Sequence, residues 1–408
     1  MFLFQLAMTL LIVAMADTGA QPETLRQAEE EALKNNLSLL AQRFDLSLAE
    51  ADIITARLLP VNPALTLTGD VFPHPGAFAL HEKNYSAIVA VPIELGGKRS
   101  ARVEVAEKTK SVSAAVLQDS VRNLLLGVRT QFYEALNAKY SLELATSTMA
   151  SLDSIVALNR VRLRARDIAE SELARTEVVA LQQHVQVRSA RLDEQSALTN
   201  LQLALGRPAL SPDFSITGEL TEPPQPPAAS PDEARQLAVS RRPDLQALRA
   251  QLEAAEANKK LQEALSAIDL SLGGYYSNQQ GLAFSGLTLS LPLPIFNRNQ
   301  GEIDKAAARV EQLRLQLLAL ERQIDAGVET AFNEFLGRRE IADQMKWEII
   351  QRSARVRDAV EYAYRNGGTS ILDFLDAQRA FNEAMKAYYD ALTSLHKSAF
   401  ALRAVMGG

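Results

Sequence analysis

The chain has 408 residues, 47% of them hydrophobic and only 6% aromatic, with a formal net charge of -6 and no cysteine. Charges of both signs are interspersed, which leaves no basic face for nucleic acid, and the lack of cysteine excludes disulfides, a cysteine-linked lipid anchor and thiolate metal sites. The abundance of Ala, Leu, Gln, Glu and Arg is that of long helices and coiled coils.

The opening FLFQLAMTLLIVAMA is apolar and ends in Ala14-Met15-Ala16, the pattern of a signal peptide over 1–16 cleaved before Asp17, although no Lys or Arg precedes Arg26. No later stretch reaches the ~20 apolar residues of a spanning helix, so any membrane crossing has to be made by strands. From Glu23 to Leu59 the pattern is helical, broken near Asn35-Asn36 and stopped by Pro60 and Pro63. The period then becomes two: Leu65, Leu67 and Val71 alternate with Thr66, Thr68 and Asp70, and Tyr85, Ala87, Val89, Val91 and Ile93 continue it, predicting a β-hairpin over about 64–93. A proline-free helical hairpin follows over about 99–206. Its first helix is about 95 Å long if continuous.

Residues 207–231 carry Pro208, Pro212, Pro223, Pro224, Pro226, Pro227 and Pro231 and read as an extended, polyproline-like linker. Beyond it the chain repeats itself. GVRTQFYEAL (127–136) returns as GVETAFNEFL (327–336), and VPIELGGKRSARV (91–103) aligns with LPLPIFNRNQGEI (291–303). The organisation expected is a first repeat over 17–206 and a second over 232–408, with a β-hairpin at about 268–293 and a helical hairpin at about 299–405. Gly96-Gly97 and Gly273-Gly274 read as bends at strand ends.

In the second repeat, Val310, Leu313, Leu317, Leu320 and Ile324 step by three and four. Ile371, Phe374, Gln378, Phe381, Met385, Tyr388, Leu392, Leu395, Ala399 and Leu402 form a coiled-coil seam. The tip turns are expected to be capped by Gly367 and Ser370 in the second repeat, and by a capping box of Asp167 and Glu170 in the first. Four amphipathic strands are too few to close a barrel, so a membrane-crossing sheet must oligomerise, and helices of this length project from it as a conduit. No phosphate loop, nucleophile elbow or HExxH motif occurs, and His74, His81, His184 and His396 are scattered, so no enzyme activity, cofactor or resident metal is expected.

The run YRNGGTSILDFLDAQ, Tyr364 to Gln378, together with VPIELGGKR and LPLPIFNRNQGEI, resembles the TolC-like outer membrane factors. The last two motifs resemble their cobalt-zinc-cadmium (CzcC-type) heavy-metal efflux branch. The resemblance implies a mainly α fold with a small β part, in which a homotrimer forms a twelve-stranded outer membrane β-barrel on a periplasmic α-barrel of coiled-coil hairpins. It implies a passive exit duct in the outer membrane of a Gram-negative bacterium, embedded in outer membrane lipid. The duct is joined to a periplasmic adaptor (membrane fusion protein) and an inner membrane pump of the proton-driven RND type. The alternatives are a drug efflux or type I secretion channel or, from another class, a periplasmic coiled-coil adaptor or structural protein, which has no need of lipid-facing strands.

Residue by residue, Asp373 and Asp376 match the family's acidic pair at the periplasmic aperture, where carboxylates gathered around a pore favour cations. A second account from the residues alone makes Ser370 and Asp373 a capping box and pairs Asp376 with Arg379. Tyr364 and Glu172 match gate-latch partners, but Thr369 stands where the family has a latch arginine, so no ion pair can come from that site; Arg164 and Arg166 are the candidate substitutes. The tips, with Arg164, Arg166 and Asp167 on one and Asn366, Gly367, Gly368 and Ser370 on the other, are candidates for adaptor docking, against an ordinary role as helix caps. The second tip is expected to gate and the first to brace.

Overall fold

The computed structural model describes residues 22–69, 84–221, 223–279 and 281–408. The expected signal peptide and the loop histidines His74 and His81 lie outside them.

The N-terminal helical stretch divides where its asparagines stand. Helix α1 (Leu25–Asn35) opens on a capping box in which Thr24 accepts from the Gln27 amide and Gln27 returns a bond to the Thr24 amide; Asn36 then caps α2 (Leu37–Arg57) by accepting from Leu39. Strands β1 (Ala64–Gly69) and β2 (Tyr85–Ile93) follow, then α3 (Lys98–Ala165) and α4 (Glu170–Leu205). At 68 residues α3 extends about 100 Å. The second repeat runs through α5 (Pro231–Arg241), α6 (Pro243–Leu265), β3 (Leu270–Gln279), β4 (Leu282–Ser290) and α7 (Gln300–Gln344). A π-helical turn at Met345–Ile350 leads directly into α8 (Gln351–Arg365), and α9 (Ile371–Val405) returns.

The repeated decapeptide is the centre of two equivalent cores. Val128 and Phe132 are buried with Ala28 and Ala32 of α1, and Val328 and Phe332 with Ala234 and Ala238 of α5. A pair of alanines four apart presents a flat helix face, which lets each short helix lie close on the long one. Each buried Val or Phe contributes about 1.5–3 kcal/mol of apolar burial. The α9 seam is buried as its spacing predicts, except for half-buried Met385.

The proline-rich stretch is extended but packed. Glu23 pairs in parallel with Ile216, through Glu23 N–H to Ser215 O (2.9 Å) and Thr217 N–H to Glu23 O (2.8 Å), and Phe214, Ile216 and Leu220 are buried. It is a strap between the repeats, because its apolar residues alternate and one face has somewhere to go.

The strands form one antiparallel sheet in the order β1-β2-β3-β4. Register fixes its faces. Leu65, Val89, Gly274 and Leu287 stand in one row, as do Val91, Leu272 and Leu289, on a face where Leu67 is 70% and Leu287 83% exposed. The opposite face carries Thr66, Ile88, Tyr275 and Gly286 in one row and Thr68, Ser86, Ser277 and Phe284 in the next. Strand β4 stops at Ser290, short of the expected 293, because Pro292 and Pro294 offer no N–H to a ladder. Gly96 and Gly97 are bends with φ +72 and +73, as expected, but Gly273 and Gly274 lie inside β3. A Cβ at Gly273 would stand 2.6 Å from Val89 O and 2.9 Å from the Thr288 methyl, so this glycine is required by close strand packing and not by a turn.

No described helix is long and apolar enough to cross a membrane.

Candidate functional site: the paired helical tips

The two helical hairpins end side by side. In the first, Arg166 takes the left-handed conformation (φ 66) and closes α3: its N–H reaches Leu163 O (3.0 Å) and the Asp167 N–H reaches Arg162 O (2.9 Å). That arrangement commits Asp167 to ending α3. Helix α4 begins only at Glu170, its N-cap is Ala169, and no side chain caps it. The expected Asp167–Glu170 capping box is therefore not formed.

In the second tip the sequence expectation holds. Gly367 has φ +75, and the Gly368 N–H closes back on Ala363 O at 2.7 Å. Ser370 caps α9 by accepting from the Asp373 amide (3.2 Å), while the Asp373 carboxylate accepts from the Ser370 hydroxyl (2.7 Å), the Thr369 hydroxyl (2.8 Å) and the Ser370 amide (3.2 Å). The Ser370 and Thr369 hydroxyls hold Asp373 below the usual carboxylate range. Asp376 is exposed and 3.4 Å from Arg379. Both aspartates thus make the local contacts that capping and i,i+3 pairing predict, with Asp376 open to solvent.

Between the tips sits a buried polar network. Tyr364, 2% exposed, donates its hydroxyl to Asn159 Oδ1 (2.6 Å), with Glu172 Oε1 a second acceptor at 3.3 Å. Asn159 Nδ2 donates to Thr176 Oγ1 (3.0 Å), and Thr176 donates to Glu172 O (2.8 Å). The Tyr364 ring stacks on Phe374 at 5.6 Å, and burial pushes its phenol up. Arg162 lies 5.3 Å from that ring and donates to Tyr364 O (3.1 Å) and Arg365 O (2.8 Å).

The structure therefore brings Tyr364 and Glu172 together within one chain and sends Thr369 to Asp373 instead. Two arginines bridge the hairpins, Arg162 through the Tyr364 and Arg365 carbonyls and Arg365 through the Ser154 hydroxyl (2.9 Å); Arg164 turns back to Arg160 O, and Arg166 closes α3 through its backbone. Asn159 and Thr176 were not among the expected site residues. A signal existed for Asn159: it falls on the α3 seam after Leu152, Ile155 and Val156, and a polar residue in a seam fixes register.

A cleft of about 650 Å³ opens between the tips, lined among others by Arg162, Glu172, Arg175, Asn366, Thr369 and Leu372. Gly367 has open space where a Cβ would be, so the second tip can be approached closely. His184 is 3.2 Å from Asp153 across α3 and α4, and His396 is buried with its Nε2 3.2 Å from Leu220 O. Among the described residues no group of three ligating side chains could hold a metal.

A family profile described as outer membrane efflux protein matches residues 29–207 and 234–408. The chain is 28% identical over 417 residues to the cobalt-zinc-cadmium resistance protein CzcC of Cupriavidus metallidurans, covering 97% of this chain and 95% of that one. It is 27% identical to the pyoverdine export outer membrane protein OpmQ of Pseudomonas putida, covering 77% and 67%. Among solved structures, a membrane protein from Pseudomonas aeruginosa has the same fold, with a TM-score of 0.78 at 21% identity over 94% of this chain and 92% of that one.

Proposed function

Since the chain belongs to the outer membrane efflux protein family, we propose that this outer membrane channel is the exit duct of a tripartite pump, assembled from three copies and passively conducting heavy-metal cations. The observation that carries the reading is the sheet. Its four strands leave β1 and β4 with unpaired outer edges, one face is leucine-rich and exposed, and the other carries hydroxyls. Open edges in lipid leave backbone groups unbonded at several kcal/mol each, and the smallest closed membrane barrels have eight strands. Pairing β4 of one copy with β1 of the next closes the barrel, and three copies give twelve strands. The long helices, which follow the ends of β2 and β4, then continue the barrel as a tube.

In this assembly the Asp373 and Asp376 carboxylates ring the periplasmic aperture, and Tyr364, Glu172 and Asn159 hold the two hairpins of each copy together there. The exposed tips, with Arg164, Arg166, Asp167, Asn366, Gly367, Gly368 and Ser370, receive a periplasmic adaptor that links the duct to a proton-driven inner membrane pump. Metal cations are the favoured cargo because the likeness to CzcC runs nearly end to end, whereas that to the pyoverdine exporter covers 77% of the chain.

Two measurements test this. Purified protein in planar bilayers should conduct; a soluble protein without conductance overturns the duct. A deletion strain should become sensitive to cobalt, zinc or cadmium and recover on complementation; unchanged metal tolerance with lost siderophore secretion overturns the cargo assignment.

A further inference from the structure

The leucine face does not end where the sheet ends. Directly paired residues in an antiparallel sheet point to the same side, so the ladder register can be counted on into the chain that enters and leaves the strands. Below the row of Val91, Leu272 and Leu289 come Val61, Ile93, Leu270 and Leu291, of which Ile93 and Leu270 are still a ladder pair. Two residues further lie Leu59, Leu95, Ile268 and Leu293, one from each of the four connections to the helices, and all four are exposed. Beyond them Phe296 is 91% exposed.

Height decides what these rows are for. The β3–β4 ladder runs from the pair Gln279 and Leu282 to the pair Ser271 and Ser290. At about 3.4 Å per residue that is about 27 Å along the strand, and at a tilt of about 40° about 21 Å along the barrel axis, against an apolar band of about 25 Å around membrane barrels. Continuing to the row of Ile268 and Leu293 adds about 8 Å and closes the shortfall. Chain outside a ladder is tolerated in an apolar layer only where its backbone polar groups are bonded or missing. Pro60, Pro63, Pro292 and Pro294 carry no N–H, the Leu95 N–H donates to Asp269 Oδ1 (3.2 Å), Arg102 donates to Leu58 O (3.2 Å), and the Ile295 N–H donates to Leu293 O (2.9 Å).

We propose that the periplasmic phospholipid leaflet of the outer membrane reaches past the strand ends onto these connections, with Phe296 at the headgroup level. This rests on the duct reading above, which puts the leucine face in lipid and the helices in the periplasm. A second copy joined edge to edge covers the borders of β1 and β4, whereas these rows cross all four strands, so lipid is the occupant that fits them. Arg99 and Arg298 stand exposed just beyond, where guanidinium groups can meet lipid phosphates. The depth at which the helical tube hangs is then set by the connections as well as by the ladder.

The chain has a single tryptophan, Trp347 in the helical part, so fluorescence can be assigned to one site at a time. In a Trp347→Phe background, Leu287→Trp samples the sheet, and Leu59→Trp, Leu293→Trp and Phe296→Trp sample the connections. The full chain is reconstituted in phospholipid vesicles whose acyl chains carry bromine near the headgroup or near the chain end. The proposal expects the connection tryptophans to be quenched best by bromine near the headgroup, within about twofold of the quenching of Leu287→Trp by the deeper bromine, and native Trp347 to be unaffected. Connection tryptophans that ignore both brominated lipids while Leu287→Trp responds overturn it: quenching by acrylamide from the water would end the band at the ladder, and shielding from both would put protein over the rows. An unquenched Leu287→Trp would instead take the sheet out of lipid, and the duct reading with it. Heat-stable oligomers on gels confirm assembly, and because Leu59 and Leu293 lie on different connections, either variant alone decides.

Discussion

Tyr364 and Asn159, 205 residues apart in the chain, share a buried hydrogen bond of 2.6 Å. Tyr364 belongs to the second repeat and Asn159 to the first, so this bond couples the hairpin expected to gate to the one expected to brace it. Tyr364→Phe keeps the ring on Phe374 but takes the donor from Asn159 Oδ1. A buried acceptor left unsatisfied costs about 1–3 kcal/mol. The expected outcome is a lower thermal midpoint together with a larger open-channel conductance in bilayers. A lower midpoint with unchanged conductance would make the bond structural only.

The two aspartates can be separated because they differ in local duty. Asp373 closes a capping box, and Asp376 has only an exposed arginine. Asp376→Asn is expected to shift the reversal potential toward weaker cation selectivity with thermal stability unchanged. Asp373→Asn should move both, since it replaces the charged acceptor of the Ser370 and Thr369 hydroxyls with a neutral amide. A double variant with an unaltered reversal potential would leave both residues as caps.

The pH dependence of the proposed Asp373 aperture follows from the direction of its shift. Its carboxyl is held below the usual range, so it stays ionised above that lowered value and its contribution to stability is lost only as the pH falls through it. Cation selectivity is therefore expected to hold from pH 7 down to about 5, measured as reversal potential in a salt gradient. A loss of selectivity around pH 6 would contradict this.

Glu23 behaves in the opposite sense. Burial and the neighbouring Glu31 raise its carboxyl to about 7, while Arg207 binds both glutamates. With the folded value above the unfolded one, the folded state holds a proton that the unfolded chain releases, so this group costs stability progressively as pH rises from about 4.5 to about 7. Glu23→Gln is expected to raise the thermal midpoint at pH 8, by an amount worth about 1 kcal/mol once solvent screening is allowed for, and to leave it unchanged at pH 4.5. Equal effects at both pH values would remove the proton from the account.

The sheet offers a test of packing. Gly273→Ala drives a methyl into Val89 O and is expected to reduce heat-stable oligomers in the outer membrane severalfold. Gly274→Ala, whose nearest neighbour would be Gly286 O at 3.9 Å, is expected to assemble normally. Equal loss in both variants would point to strand flexibility instead.

What could be read from the chain depended on range. Alternation at Leu65 to Thr68 and at Tyr85 to Ile93 marked strands, and the 3-4 steps from Ile371 to Leu402 marked a buried seam, because both patterns are written within a few residues. Gly273-Gly274 looked like a bend because two glycines usually are one, and only the partner strands show why a side chain is excluded there. The first tip misled for a related reason: a non-glycine residue, Arg166, occupies the left-handed position, which displaces Asp167 from the cap that its spacing suggested. The tip network was hidden because its members come from α3, α4 and α8, and no local pattern links Asn159 to Tyr364.

The pairing of β2 with β3 imposes an order on biogenesis. Ile93 and Leu270 are partners, yet the whole first helical hairpin and the strap lie between them. Hairpins β1-β2 and β3-β4 can each form from neighbouring segments, whereas the central seam must wait until the intervening chain has been exported and closed into a very long loop, a slow, non-local step. Until then β2 and β3 are additional bare edges beside leucine-rich faces, and the newly exported chain is at its most adhesive.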